Sequence, residues 1–348
     1  MTLDRRALLG GMASAAALSA APWPARAQDV VTLRLHHFLP PQATAPQHAL
    51  APWARQLAQA SGGRLKVQLF PSMQLGGKPS GLLDQAREGV VDMVWTVLGY
   101  TPGRFPRAEA FELPFMTGAA EAGSQALHAY VQAHAMAEFA GVKLIAAHTH
   151  GPGTLHSRVP IQRLEDVKGL RVRGGSRVIN NMLEQVGAVP VGMPVPQVGE
   201  ALSRGVLAAA TLPWEVVPAL KIQQMARHHT GFAGARGLYT QTFALVMNQA
   251  RYDRLPADLK QVLDVHSGVA TAALFGRAMD AGDQAGLAAA RQAGNRIVML
   301  DEAETRRWQA AAAPVRTRWF AEARAKGIDG EKLVAEAERL VAHYSRPA

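Results

Sequence analysis

The chain has 348 residues, of which 48% are hydrophobic and 18% charged, and its formal net charge is +10 at pH 7. Its 32 glycines and 21 prolines are scattered, which excludes collagen, a continuous coiled coil and wholesale disorder. Because the chain has no cysteine, disulfide-stapled domains, thiol catalysis, cysteine-ligated zinc and iron–sulfur clusters are excluded as well.

The first 27 residues predict an export signal. Arg5 and Arg6 precede a small apolar stretch that reaches Ala21, and an A-x-A cleavage site ends at Ala27. The apolar stretch is too short and too rich in alanine for a membrane anchor, which needs ~20 strongly apolar residues. The paired arginines fit the twin-arginine route, and an ordinary secretory signal fits as well. We therefore expect a mature chain that begins at Gln28 in the periplasm.

The positive charge favours small anions over nucleic acid as binding partners. The basic residues are spread along the chain, with few lysines and no basic run. An exported protein also does not meet genomic DNA. We therefore predict no nucleic-acid partner.

The beginning of the mature chain alternates predicted strands with predicted helices. Alternating apolar residues predict two strands, helical spacing predicts two helices, and one continuous apolar run predicts a strand that is buried on both faces. In chain order these are strand 31–35, helix 50–57, strand 65–69, helix 82–86 and strand 90–97. This order indicates an α/β unit with a mostly parallel sheet.

The same pattern continues to the end of the chain. Helices are predicted at 127–139, 178–186, 197–204, 302–323 and 331–343, and strands at 143–147, 170–173, 243–247 and 296–300. Over 258–293 helical spacing runs without proline, and such a helix would be ~54 Å long. It must therefore span two domains or bend at Gly268, Gly276 or Gly282. The length of the chain suggests about two domains, and no linker rich in serine or proline separates them.

Six segments, in this order, resemble the solute-binding subunits of tripartite ATP-independent periplasmic (TRAP) transporters of the DctP type. They are SGGRLKVQLFPSMQLGG at 61–77, REGVVDMVW at 87–95, FELPFM at 111–116, LEDVKGLRVRGGS at 164–176, VGAVPVGMPVPQVGEALSRGV at 186–206 and RLPADLKQVL at 254–263. The resemblance implies a two-lobed α/β periplasmic binding protein of the type II kind, with mostly parallel sheets and a long helix that spans both lobes.

The resemblance also sets approximate boundaries. We expect the export signal over 1–27, the first lobe over 28–150 with 235–265, and the second lobe over 151–234 with 295–348. The long helix over 258–293 would connect the two lobes.

The family implies capture of a small organic carboxylate and its delivery to small and large membrane subunits that an ion gradient drives. Its members are usually monomers. The signature arginine of the family falls on Arg173, where a planar guanidinium can bind both oxygens of a carboxylate. Arg173 also stands at a strand end, where α/β folds usually bind ligands. Arg171 points to the same face of that strand and stays open as an alternative.

Three departures from the family pattern indicate a less polar ligand. Many members carry a V-D-G-x-E-N-P-like run where this chain has LAAATLPWEVVP at 207–218. By our alignment Gly153 replaces a further arginine of the sialic-acid-binding branch, and Phe38 replaces an amide. We therefore expect an aromatic, branched aliphatic or 2-oxo/hydroxy monocarboxylate rather than a sugar acid.

Other residues are candidates for contact with the body of the ligand. Each also has a plainer interpretation, because aromatic side chains on apolar strands are usually buried in the core. Glu215 could accept a hydrogen bond from a ligand hydroxyl or simply pair with a nearby arginine. The full set is Phe38, Trp95, Tyr100, Trp214, Glu215, Tyr239 and one histidine, His37 or His150.

No sequence pattern supports catalysis or a metal site. The chain has no HExxH spacing, and His36 and His37 point to opposite sides of one strand. It also lacks a G-x-S-x-G elbow, a Walker loop and a dinucleotide fingerprint. We therefore predict no metal, no cofactor and no enzyme activity. The alternatives that stay open are a periplasmic enzyme acting on small carboxylates and a ligand receptor for a sensor partner.

Overall fold

The structure is a computed structural model that describes residues 29–346. The predicted export signal over 1–27 lies outside these residues. Within 29–346, every helix is too short or too polar to span a bilayer.

The first sheet has five strands in the order β2-β1-β3-β10-β4. They are β1 (Val31–His36), β2 (Leu65–Phe70), β3 (Met93–Val97), β4 (Val142–Thr149) and β10 (Thr242–Asn248). β1 pairs in parallel with β2 and β3, whereas β10 runs antiparallel between β3 and β4. All residues of β3 and β10 are buried, so the centre of this sheet is covered on both faces.

The second sheet has six strands in the order β11-β9-β5-β8-β6-β7. They are β5 (Thr154–Ser157), β6 (Arg171–Gly174), β7 (Val189–Gly192), β8 (Ala209–Leu212), β9 (His228–Phe232) and β11 (Arg296–Leu300). β5 runs antiparallel to both of its neighbours, β8 and β9, and the other pairs are parallel.

The predicted two-lobed α/β class is confirmed, and each sheet is mixed because it contains one reversed strand. The chain passes from β4 to β5 through residues 150–153, and from β9 to β10 through residues 233–241. β4 and β9 each end at the side of their sheet that faces the other lobe. The strand that follows in the other lobe, β5 or β10, therefore starts at the side where its neighbours end, and so it runs antiparallel to them.

Twelve α-helices cover the sheets or connect their strands within the described chain. They are α1 (Ala51–Ala60), α2 (Leu82–Arg87), α3 (Ala120–His134), α4 (Arg177–Gln185), α5 (Val198–Ser203), α6 (Ile222–Met225), α7 (Gln249–Asp253), α8 (Ala257–Val265), α9 (Val269–Gln292), α10 (Glu302–Ala312), α11 (Pro314–Ala325) and α12 (Gly330–Tyr344). The helix expected over 302–323 is divided, because Pro314 starts a new helix and has no N–H for the preceding one.

The single helix expected over 258–293 is likewise two helices, α8 and α9. The break falls at Gly268, one of the three glycines where a bend was predicted, and its φ of +89° ends the helical path. α9 packs against β4 of the first sheet and also against the turn at residues 214–216, which follows β8 of the second. The long helix that contacts both lobes is therefore α9 alone.

The lobe boundaries expected from the sequence stay a prediction. The strands of the first sheet lie within 28–150 and 235–265, and those of the second lie within 151–234 and 295–348. However, α12 packs against α3, a helix that also packs on β4. The end of the chain therefore lies beside the first sheet, although the predicted boundary assigned it to the second lobe.

Candidate functional site

A cavity lies between the lobes, where the strand ends of both sheets meet. The enclosed space is small, about 20 Å³, and its wall is mostly apolar and aromatic. The wall consists of Phe38, Leu39, Trp95, Val97, Tyr100, His150, Val195, Leu212, Pro213, Glu215, Val216, Gln241 and Phe243. An apolar wall with a few polar groups is typical of a small-molecule site.

Three aromatic rings on one side of the cavity stack on one another. Trp95, on β3, stacks on Phe38 at 5.0 Å between ring centroids and on Phe243, on β10, at 5.1 Å. The ring planes differ by only 18° and 14°. The indole Nε1 of Trp95 donates to His148 Nε2 at 2.8 Å, so the one polar group of this side chain is already satisfied. Burial lowers the pKa of His148 to about 3, which keeps the ring neutral and able to accept that hydrogen bond.

Tyr100 connects the aromatic side to the second lobe. Its ring packs edge-on against Phe38 at 5.5 Å, and its hydroxyl accepts a hydrogen bond from the backbone N–H of Val195 at 2.9 Å. Tyr100 also lines an open groove next to the cavity, formed by residues 174–177 and 192–194 of the second lobe.

Arg173 is completely buried, and its charge has no counterion in the described chain. Nε donates to the carbonyl of Met193 and Nη1 donates to the carbonyl of Thr211, both at 3.0 Å, whereas Nη2 has no partner. No aspartate or glutamate among residues 29–346 forms an ion pair with it. An unpaired buried charge costs several kcal/mol, so this guanidinium is a site that an anion would stabilise.

The charge of Arg173 acts on Tyr100 and His150, both of which belong to the cavity wall, and on Tyr239. His150 Nδ1 lies 2.6 Å from the carbonyl of Gly151 and must donate to it, and its Nε2 accepts from the backbone N–H of Gln241 at 3.0 Å. His150 is therefore neutral, and burial followed by the Arg173 charge lowers its pKa to about 4. Tyr239 is also buried, and its hydroxyl has no hydrogen-bond partner within 29–346. Burial raises the pKa of Tyr239 above its usual value, so the hydroxyl keeps its proton.

The ring of Tyr239 occupies the space beside Gly153. A Cβ atom built on Gly153 would lie 2.2 Å from Tyr239 Cε1, so no side chain fits there without moving the ring. This is the position where the sequence comparison expects an arginine in the sialic-acid-binding branch. The Tyr239 ring therefore requires glycine at position 153. The ring occupies the space where we expect the arginine side chain of the sialic-acid-binding branch.

Glu215 is the acidic side chain in the wall, and its backbone is held on both sides. Its N–H donates to Asp283 Oδ1 on α9 at 2.8 Å, and its carbonyl accepts from Thr44 Oγ1 at 2.9 Å. The carboxyl oxygen Oε2 is buried and has no partner among residues 29–346. Burial, and then the nearby Asp283 charge, raise the pKa of Glu215 to about 8. The carboxyl is therefore mostly protonated at neutral pH.

The structure brings most of the candidate residues together. Five of them line the cavity: Phe38, Trp95, Tyr100, His150 and Glu215. Arg173 and Tyr239 adjoin these wall residues. Arg171, the alternative to Arg173, has an exposed side chain.

Four candidates lie outside the cavity wall: Arg173 and Tyr239, which adjoin it, and Trp214 and His37. Trp214 packs against His156 at 5.0 Å and His229 at 4.9 Å within the second lobe. His37 is buried and edge-on to Trp95 at 6.4 Å, and both of its ring nitrogens lack partners in the described chain. Burial lowers the pKa of His37 to about 4.

Two wall residues, Gln241 and Phe243, were not predicted from the sequence. Gln241 Nε2 donates to the carbonyl of Gly175 at 2.9 Å and so connects the start of β10 to the second lobe. In an extended segment every second residue points to the same side. Gln241 and Phe243 follow the candidate Tyr239 at this spacing, so they could have been predicted from it.

The described residues contain no group of three or more histidine, aspartate or glutamate side chains that could hold a metal ion. The closest pair is His156 and His229, whose Nδ1 atoms are 2.7 Å apart. One of these rings must donate to the other. Burial lowers the pKa of both, so the pair is neutral.

Comparison with known proteins gives the family and several close structural relatives. Residues 35–323 match the family described as bacterial extracellular solute-binding protein, family 7. A TRAP solute binding protein from Rhodoferax ferrireducens T118, solved in complex with copurified benzoate, is 43% identical. That similarity covers 91% of this chain and 99% of the other, with a TM-score of 0.89.

Two further solved structures are similar. A marine metagenome TRAP solute binding protein specific for aromatic acid ligands, in complex with 3-hydroxybenzoate, is 42% identical over 91% of this chain and 100% of the other, with a TM-score of 0.90. A TRAP periplasmic solute binding protein from Bordetella bronchiseptica, with bound (R)- and (S)-mandelate, is 30% identical over 90% and 99%, with a TM-score of 0.83.

Proposed function

Because the chain belongs to family 7 of the bacterial extracellular solute-binding proteins, we propose that it is the periplasmic receptor of a TRAP transporter for an aromatic monocarboxylate. Members of this family are solute receptors and not enzymes, and this chain is a solute receptor of the TRAP type. The identity of the ligand, the location in the periplasm and the delivery step are parts of the proposal.

The observation that carries the proposal is the buried Arg173 guanidinium without a counterion. Its Nη2 and the Tyr239 hydroxyl are both buried, and both lack partners among residues 29–346. A ligand carboxylate would accept from the guanidinium through two oxygens, in the geometry that makes such pairs strong. It would also supply the missing negative charge.

The shape of the wall supports an aromatic body for the ligand. Phe38, Trp95 and Phe243 line the cavity, and aromatic rings pair favourably with one another edge-on or offset. The relatives with benzoate and 3-hydroxybenzoate share 43% and 42% of their residues with this chain. A sugar acid would leave several hydroxyl groups against rings that cannot bond them, at a cost for each unpaired group.

Binding would close the receptor, because the wall comes from both lobes. Trp95 belongs to the first sheet, whereas Leu212 ends a strand of the second. A ligand that contacts both sides is held more tightly by the closed form and shifts the population towards it. The closed form would then deliver the acid to the small and large membrane subunits.

Thermal unfolding and calorimetry of residues 28–348 test the proposal, after unfolding and refolding to remove copurified ligand. The panel contains benzoate, 3-hydroxybenzoate, mandelate, 4-methylpentanoate, succinate and N-acetylneuraminate. A ligand at ~100 times its dissociation constant stabilises by about 2.7 kcal/mol, which raises the unfolding temperature by a few degrees. We expect this shift with aromatic monocarboxylates only. A shift confined to succinate or the sugar acid, or no shift at all, would refute the proposed ligand class.

Location and delivery need separate tests. Osmotic-shock fractionation of cells that express the full chain should release the receptor with the periplasmic fraction. Vesicles containing the cognate membrane subunits should take up labelled acid only when receptor and an ion gradient are both present. Uptake without the receptor, or uptake that follows ATP rather than the gradient, would contradict the delivery step.

A further inference from the structure

We propose that Glu215 makes the receptor prefer an aromatic monocarboxylate that carries a hydroxyl group over the same acid without it. This inference rests on the proposed function and adds a specificity-determining residue to it. Its basis is a buried carboxyl oxygen of Glu215, in a mostly apolar wall, that has no hydrogen-bond partner among residues 29–346.

Several other polar atoms of the wall are engaged by the protein. Trp95 Nε1 donates to His148, the Tyr100 hydroxyl accepts from Val195, and both nitrogens of His150 are in use. The Gln241 amide nitrogen donates to a backbone carbonyl of the second lobe. Glu215 Oε2 has no such partner anywhere in residues 29–346, although only 5% of the residue is exposed.

An unpaired buried polar group costs about 1–3 kcal/mol, so a ligand group that pairs with it gains affinity. A buried carboxyl that keeps its proton has one O–H donor and still accepts at its other oxygen. A hydroxyl group complements it, because a hydroxyl both donates and accepts. The bare edge of a benzene ring would instead leave Oε2 unsatisfied.

The position of the carboxyl is fixed before any ligand arrives. The backbone of Glu215 is held by Asp283 on α9 and by Thr44 of the first lobe. Such fixed contacts make a group selective, because it cannot turn away to solvent when the ligand lacks a partner for it.

Glu215 is also placed to act together with Arg173. Arg173 lies on β6 and donates to the carbonyl of Thr211 on β8, the strand that pairs with β6 and that Glu215 follows. Arg173 and Glu215 therefore both belong to the carboxyl end of this strand pair, where one ligand could contact both. Arg173 would bind the carboxylate and Glu215 would bind the hydroxyl, both at the same edge of the second sheet.

Calorimetric affinities for matched pairs of acids test the inference. One set compares benzoate with 3-hydroxybenzoate and 4-hydroxybenzoate, and measures the effect of a ring hydroxyl on affinity. The other compares phenylacetate with mandelate and reports a hydroxyl next to the carboxylate. In the wild-type receptor we expect at least one hydroxylated acid to bind about tenfold or more tightly than its partner, as sites built to bond a hydroxyl do.

Substitutions at Glu215 assign that preference to the side chain. Glu215→Gln keeps a donor and an acceptor and should retain the preference to within about threefold, whereas Glu215→Leu and Glu215→Ala should abolish it while benzoate still binds. Glu112→Gln is the matched control, because Glu112 is also a buried carboxyl but does not line the cavity. The control should leave the ratio unchanged.

The outcomes separate this inference from the proposed function. If benzoate binds the wild type but no hydroxylated acid is preferred, or if the preference survives in Glu215→Leu or Glu215→Ala, the role of Glu215 is refuted and the receptor function stands. If no aromatic acid binds the wild type, both proposals fail. The ratio of affinities for the hydroxylated and the unhydroxylated acid in the wild type tests the preference even where a variant does not fold.

Discussion

Arg177, the first residue of α4, donates from Nε to Glu109 Oε1 at 3.2 Å and so connects the second lobe to the first. Glu109 lies in the turn at residues 108–112, which contacts β10. The same guanidinium pairs with Glu322 on α11, and Trp319 Nε1 donates to Glu109 Oε2 at 3.3 Å. Two side chains of α11 thus bond to this ion pair, which we expect to break when the lobes separate.

The first prediction is that Arg177→Ala speeds ligand release. Loss of the contact with Glu109 removes an interaction that belongs to the closed form, so we expect the dissociation rate to rise about fivefold with little change in association. Stopped-flow measurement of ligand release is the readout. Arg318→Ala is the control, because Arg318 pairs with Glu184 and Glu322 inside the second lobe. Equal rates in both variants would contradict a contact between lobes that favours closure.

The second prediction concerns the carboxylate site. Arg173→Met should weaken binding of the native acid about 100-fold or more, because a desolvated carboxylate would lose its charge partner. Arg171→Met removes an exposed arginine from the same strand and should bind the acid as the wild type does. Titration calorimetry of both variants gives the answer. Unchanged affinity in Arg173→Met would remove Arg173 from the site.

The third prediction is a maximum of ligand-free stability near pH 6.5. Burial lowers the pKa of several histidines to between about 3 and about 4 in the folded chain, against an ordinary value of 6.5; they are His37, His128, His148, His150 and His156. The unfolded chain binds more protons at these rings between pH 4 and 6.5, so stability rises with pH in this range.

Buried carboxyls act in the opposite direction at higher pH. Burial raises the pKa of Glu112, Glu138 and Asp283 to about 7 and that of Glu215 to about 8. The folded chain then holds protons that the unfolded chain has already released above about pH 4.5, so these carboxyls partly cancel the histidine rise below pH 6.5. Above pH 6.5 the histidines no longer contribute, and stability falls as pH rises through the carboxyl pKa values of about 7 and about 8. Thermal unfolding between pH 4 and pH 9 measures both limbs.

The variant Glu215→Gln checks the alkaline limb. Glutamine does not titrate, so the contribution of Glu215 to the alkaline limb is lost. The fall in unfolding temperature between pH 6.5 and 8.5 should therefore be shallower than in the wild type. Glu88→Gln, at an exposed position, should leave that slope unchanged. If the two variants show the same slope, the proton at Glu215 does not contribute.

The fourth prediction tests the close contact between Gly153 and Tyr239. Gly153→Ala would place a methyl group 2.2 Å from the ring, which must then move away from its position beside Arg173. We expect a loss of about 1–3 kcal/mol in stability and a loss of ligand affinity. Adding Tyr239→Leu should recover most of the stability but not the affinity. A Gly153→Ala variant that binds and unfolds like the wild type would show that the ring has room to move.

The strands that could be predicted from the sequence are those with a pattern of their own. β1 and β2 alternate apolar and polar residues, and β3 is continuously apolar because it is covered on both faces. β5, with the sequence TLHS, has no such alternation and was missed. It is a strand because β8 and β9 bond to both of its edges, and such tertiary pairing overrides local preference.

The site was predictable where the resemblance or the chemistry pointed to a single residue. The resemblance pointed to Arg173 and the chemistry of hydroxyl groups to Glu215, and both are buried in the structure, whereas their roles in binding stay predictions. Trp214 and Glu215 are neighbours in the sequence, yet only Glu215 lines the cavity. The short turn at residues 214–216 sets which of the two points inwards, and packing of Trp214 against two histidines fixes that choice. Sequence spacing alone does not contain this information.

The two reversed strands also govern the order in which the molecule can be assembled. β4 has one strand neighbour, β10, and that neighbour is made only after nearly all of the second sheet has emerged. Until residues 242–248 are synthesised, the first sheet lacks β10 and β4 has no strand to pair with. Neither sheet can therefore be completed as an autonomous folding unit, and we expect the two lobes to gain their stability together, in a single cooperative transition.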